Sequence, residues 1–119
     1  MSPSDHPYDL EERTFQFAKD VRIFLKTVPN TIANQEDSRQ LIRSSGSVGA
    51  NYREANEALS RKDFVYRMRV SRKEAKESIY WLRLIHSTNS LKNSNNAQQL
   101  IQEATELKKI FSSIIEKAK

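Results

Sequence analysis

Cysteine is absent from this 119-residue chain, glycine occurs twice and proline three times. Without cysteine there is no disulfide and no thiolate metal site. So few glycines and prolines cannot supply the turns of a many-stranded β fold, and the composition is not that of a disordered segment either. Long apolar runs are missing too: the longest, Ile79-Tyr80-Trp81-Leu82, falls far below the roughly 18 residues that a membrane span needs. The opening residues, MSPSDHPYDLEE, have neither the basic start nor the apolar stretch of a secretory signal. These absences predict one cytoplasmic domain, residues 1–119, with no membrane partner.

What is present is helical periodicity, in four segments, and no sustained strand alternation. Apolar or small residues recur at alternating steps of four and three. Phe17, Val21, Phe24 and Val28 mark the first segment, and Leu41, Ser45, Val48, Tyr52, Ala55 and Leu59 the second. Phe64, Met68, Ser71, Ala75, Ser78, Leu82 and Ile85 mark the third; Ala97, Leu100, Ala104, Leu107, Phe111, Ile114 and Ala118 mark the fourth. Asp9 with Glu12, and Ser60 with Asp63, read as capping boxes, while Pro29-Asn30 reads as a stop. The spacing predicts helices over about 9–28, 31–58, 61–88 and 96–118. Stripes of this kind pack near +20°, and short connections lay successive helices side by side. The predicted fold is therefore all-α, an antiparallel up-down-up-down four-helix bundle.

The second helix contains SSGSVGA, Ser44 to Ala50, an odd insert of small residues. Each helix-interior glycine costs about 1 kcal/mol against alanine. Ser45 holds a seam position and Gly49 lies one turn beyond it. Ser45, Gly46 and Gly49 are read as a point of close approach for a neighbouring helix or subunit, where recovered contacts offset that cost. The rival reading is a kink or a frayed turn at the glycines.

The net charge of +5 is localised. The third helix has eight bases against Asp63, Glu74 and Glu77, a surplus of five, whereas the first helix balances four against four. Lys62, Arg69, Lys73, Lys76 and Arg83 recur on one face at steps of seven, four, three and seven, with Arg67 and Arg72 flanking them. Bases at helical pitch suit phosphate backbones without sequence readout, and Tyr66 and Tyr80 share the face for stacking. The bland alternative is simply a solvated face, on which i,i+4 pairs with acidic residues are common.

Signs of chemistry are few. A di-iron bundle site wants inward carboxylates and two Glu-x-x-His pairs. Glu54-x-x-Glu57 and Glu74-x-x-Glu77 supply carboxylates, but neither His6 nor His86 stands three residues after a glutamate. There is no G-x-S-x-G elbow, Walker loop or H-E-x-x-H. The reading is a protein that is not an enzyme and takes no metal or cofactor. Asn51 and Glu54, one turn apart beside the seam, are read as a structural polar network tying the second and third helices together.

RSSGSVGANYREA followed by SRKDFVYRMRVSRKEAKESIYWLRLI resembles the four-helix-bundle family that includes proteins encoded within intervening sequences of bacterial 23S rRNA genes. Arg43-Ser44, Ser47-Val48, Asn51-Tyr52, Glu54, Ser60 and Asp63-Phe64 stand at the positions of its pattern, and Glu74-Ala75, Glu77 and Tyr80-Trp81-Leu82 match one branch. Gly49 replaces a frequent proline, and Ala55 a frequent glycine. The resemblance covers about residues 14 to 88. It implies a ring, commonly a homopentamer, and a distant likeness to accessory proteins of diversity-generating retroelements, which bind nucleic acid and a reverse transcriptase. Trp81, Tyr80, Leu84, Tyr66, Val70 and Phe15 lie off the single seams, which independently points to a second buried surface. The resulting expectation is a homo-oligomer that binds RNA, or else DNA, through Lys62, Arg69, Arg72, Lys73, Lys76 and Arg83. Its alternative is an adapter ring docking a partner such as a reverse transcriptase.

Overall fold

A computed structural model describes residues 9–92 and 94–119. His6 and the first eight residues of the stretch considered for a signal lie outside the described residues. Among those described, the chain forms four helices and no strand: α1 (Leu10–Leu25), α2 (Ile32–Asn56), α3 (Arg61–Thr88) and α4 (Ser94–Ala118).

Local chemistry sets each end. The Asp9 carboxylate accepts from the Glu12 amide at 3.4 Å, and the Ser60 hydroxyl accepts from the Asp63 amide at 3.0 Å. Thr31 caps α2 in the same way through the Asn34 amide, at 3.1 Å. α1 stops at Leu25, three residues short of the expected 28. Val28 precedes Pro29, whose ring disfavours the α region for the residue before it, and Lys26, Thr27 and Val28 donate to carbonyls three residues back rather than four. α2 ends at Asn56, and Leu59, the last member of the expected stripe, falls in the connection and is fully exposed (100%). In α4 the buried position after Phe111 is Ile115 rather than Ile114, and Ala118, the last member of the expected stripe, is only half-buried, because a helix of 3.6 residues per turn drifts off a 3.5-residue repeat.

All four helices contribute to one core, with Phe17, Leu41, Met68, Leu82, Leu107 and Phe111 fully enclosed. α3 packs against both α2 and α4, while α1 lies against α2 and more lightly against α4. The α2–α3 seam is built from small and polar groups. Asn34 and Asn89 exchange amide bonds at 2.8 and 2.9 Å, and the Ser44 and Ser78 hydroxyls meet at 2.9 Å. Ser71 donates to the Val48 carbonyl at 2.9 Å. Small side chains let the two backbones approach, and each buried hydroxyl finds a partner, so the seam carries little desolvation penalty.

The glycines of α2 serve the approach of α1. The helix runs unbroken through Gly46 and Gly49, neither of which has positive φ, so the chain does not fray there. A Cβ on Gly49 would lie 2.9 Å from Thr14 Oγ1 and 3.2 Å from its Cβ, too close for either atom to remain in place. Thr14 is itself buried and fixed, donating to the Leu10 carbonyl at 2.6 Å. Gly46 faces the far end of Arg22, whose Nη2 would sit 3.3 Å from the added carbon. Ser45 is buried beside it and accepts from Arg22 Nη1 at 3.5 Å.

Candidate nucleic-acid interface

The side of α3 turned away from the core is a row of exposed residues: Lys62, Tyr66, Arg69, Lys73, Lys76, Tyr80 and Arg83. Their steps of four and three keep them on one line of a 3.6-residue helix. From Lys62 to Arg83 the row runs about 32 Å at 1.5 Å per residue. It contains no acid. Asp63, Glu74 and Glu77 fall elsewhere on the helix, and none of the five bases forms an ion pair among the described residues. Of the bland alternative, the ion pairs with acidic neighbours are not formed among the described residues, and the face is solvated.

Two bases off the row, Arg67 and Arg72, are engaged elsewhere. Arg72 is half-buried and donates to Ser112 of α4 at 3.4 Å, so it stands at the edge of the face rather than within it. Arg67 donates to Asn51 Oδ1 at 3.2 Å, and its guanidinium lies 5.6 Å from the Tyr66 ring centroid. Arg13 shows what a committed arginine looks like. Two hydrogen bonds to Glu103, each 2.8 Å, hold its guanidinium above the ordinary value; burial opposes this, and the charges of Glu103 and Glu106 add to it.

The expected polar network needs one correction. Asn51 does join α2 to α3 through Arg67, and it also donates to the Ser47 carbonyl at 3.0 Å. Glu54 does not take part: it is exposed, with no hydrogen-bond or ion-pair partner among the described residues. The carboxylate tying α2 to α3 is Glu74, 5% exposed, which receives Arg43 through two bonds at 3.1 and 3.4 Å. Glu54 points out because the seam residues of that turn are Tyr52 and Ala55. The clue for Glu74 lay in its place between Ser71 and Ser78, on the turn that faces Arg43 and Ser44. Among the described residues, no three His, Asp or Glu side chains gather closely enough to hold a metal ion.

Trp81 and Tyr80 meet edge to face at 4.9 Å, with planes at 82°. The Trp81 ring nitrogen is buried without a hydrogen-bond partner among the described residues, a feature with no signal in residue spacing. No described helix is long and apolar enough to cross a membrane.

Fold and surface together define an all-α, four-helix protein with one exposed basic helix face. The chain belongs to the 23S rRNA-intervening sequence protein family, whose pattern matches residues 8–113 and so extends well into α4. Among solved structures it is similar to a protein with unknown function from the S23 ribosomal protein family of Bacteroides thetaiotaomicron. The two are 32% identical with a TM-score of 0.76, over 88% of this chain and 96% of that one. No curated protein matches.

Proposed function

We propose that this is a non-enzymatic, cytoplasmic nucleic-acid-binding or scaffold protein, with RNA as the favoured ligand and the outer row of α3 as the binding surface. The observation that carries the reading is the unpaired, acid-free line Lys62, Arg69, Lys73, Lys76 and Arg83. Five like charges in line raise the local positive potential along α3, and a phosphate backbone supplies anions at a comparable pitch. The family's link to 23S rRNA loci agrees with RNA.

The bundle is read as antiparallel, up-down-up-down. In support, α2 residues 34, 44, 48 and 51 meet α3 residues 89, 78, 71 and 67 in that order. Of the residues off the seams, Val70, Trp81 and Leu84 are half-buried within the single chain, and Tyr66 and Tyr80 are assigned to the binding row instead of a subunit contact. A ring-shaped homopentamer is the assembly proposed, on the family resemblance and on the apolar side chains of α1 left outside the core: Phe15 is 61% exposed and Ile23 51%. Five copies would carry five times the +5 of one chain. These same residues favour the second reading, an adapter ring docking a partner such as a reverse transcriptase.

The test changes Lys73 and Lys76 together to Glu and follows binding to a structured RNA by fluorescence anisotropy, from low to physiological salt, with duplex DNA as comparator. The expected result is weaker binding and a shallower dependence on salt, by roughly 0.7–0.9 in log–log slope for each phosphate no longer neutralised. Unchanged RNA affinity in the double variant overturns the assignment of this face, and absence of binding by the parent protein favours the adapter.

A further inference from the structure

Tyr66 and Tyr80 stand 14 residues apart in the basic row, which is two full steps of the seven-residue repeat. Their rings therefore leave α3 in nearly the same direction, about 21 Å apart along the axis. Each is more than half exposed, 58% and 55%. Both rings are also held. Arg67 lies against Tyr66 at 5.6 Å and is anchored in turn to Asn51, while Trp81 meets Tyr80 edge-on at 4.9 Å. Arg69, Lys73 and Lys76 lie between the two rings.

Resting on the nucleic-acid reading above, we infer that this row takes single-stranded nucleic acid in preference to duplex, with Tyr66 and Tyr80 as stacking platforms and the three intervening bases on the phosphates between them. A duplex cannot use the rings. Its bases are already stacked, and in RNA its major groove is too narrow to admit a helix, so only the five charges would contribute. A single strand can turn bases onto both rings while its backbone follows the charges. Restraint by Arg67 and Trp81 lowers the ordering cost of each ring on binding.

The experiment compares an unstructured single-stranded RNA with a blunt RNA duplex of the same length, by anisotropy at physiological salt. The proteins are the parent, Y66L/Y80L, Y66F/Y80F and K73E/K76E, each first checked for helix content. The parent is expected to bind the single strand at least tenfold more tightly than the duplex. Y66L/Y80L should lose about tenfold or more per ring on the single strand and little on the duplex, with an unchanged salt slope. Y66F/Y80F, which keeps both rings, should behave as the parent. The one tryptophan gives a readout on unaltered protein: Trp81 emission should respond to the single strand and not to the duplex. Equal affinity for the two RNAs, or Y66L/Y80L matching the parent on the single strand, overturns the inference. If that equal binding still disappears in K73E/K76E, the basic row remains the interface and only the preference is wrong. Binding of neither RNA overturns both.

Discussion

α3 carries two rows with the same spacing on opposite sides. The inner row is Phe64, Met68, Ser71, Ala75, Ser78, Leu82 and Ile85; the outer row, set two residues earlier, is Lys62, Tyr66, Arg69, Lys73, Lys76, Tyr80 and Arg83. Identical periodicity thus produces a packed seam on one side and an open charged line on the other. The difference shows what folding requires and what it leaves free. The inner row narrows to serine and alanine at its centre, where Ser71 and Ser78 bond to α2. The outer row touches little beyond its own neighbours, so its composition is not set by the core.

Stability and binding should therefore separate between the rows. The largest effect is expected inside. Leu82 is fully buried, and Leu82→Ala should cost about 2–5 kcal/mol through lost transfer energy and the cavity left behind. That is a large part of the roughly 5–15 kcal/mol that holds a domain of this size together. Thermal melting followed by circular dichroism should show a fall of about 10 °C or more, while protein that remains folded binds RNA as before. Lys73→Glu with Lys76→Glu should do the reverse, leaving the melting temperature within a few degrees and weakening RNA binding by at least about tenfold. If the outer change lowered stability as much as the inner one, the two rows would not be independent.

A finer comparison lies within one turn of α2. At Gly49 an added methyl meets Thr14 at 2.9 Å, and Thr14 is packed on α1 backbone that cannot move alone. Gly49→Ala should therefore destabilise by about 1–2 kcal/mol, since overpacking outweighs the helix propensity gained. At Gly46 the neighbour is the tip of Arg22, which swings away at little cost. Gly46→Ala should stabilise by up to about 1 kcal/mol. Opposite signs in two melting curves would confirm that α1 approaches at Gly49; equal stabilisation would refute it.

Much of the fold was legible in the sequence because burial writes itself as spacing. The inner row of α3, the caps at Asp9 and Ser60 and the basic row were all readable from residue steps. What escaped was pairing across helices. Spacing fixes which face of a helix is inward but not which turn of the next helix lies opposite it. Glu54 and Glu74 look alike in sequence, each three residues before another glutamate, yet one is solvated and the other buried against Arg43. The partner of Gly49 was equally hidden: Thr14 comes from α1, which packs on α2 at a height that local periodicity does not encode. Leu59 failed for a related reason, since a stripe can continue in sequence past the residue where the helix stops.

The smallest prediction tests that distinction directly. Asn51→Ala removes the acceptor for Arg67 and should cost about 1 kcal/mol, the net worth of a half-buried hydrogen bond. Glu54→Ala, one turn away and exposed, should stay within about 0.5 kcal/mol of the parent. Single melts would resolve these values poorly, so each is best paired with Arg67→Ala in a double-mutant cycle. Asn51 and Arg67 should couple by about 0.5–1.5 kcal/mol, whereas Glu54 and Arg67 should be additive within about 0.3–0.5 kcal/mol. Loss of Arg67 also frees the Tyr66 ring. The Asn51 variant should therefore lose some single-strand affinity even though Asn51 lies off the binding row, and the Glu54 variant should lose none. Equal coupling of both residues to Arg67 would return Glu54 to the network and move the tie between α2 and α3 nearer the solvent.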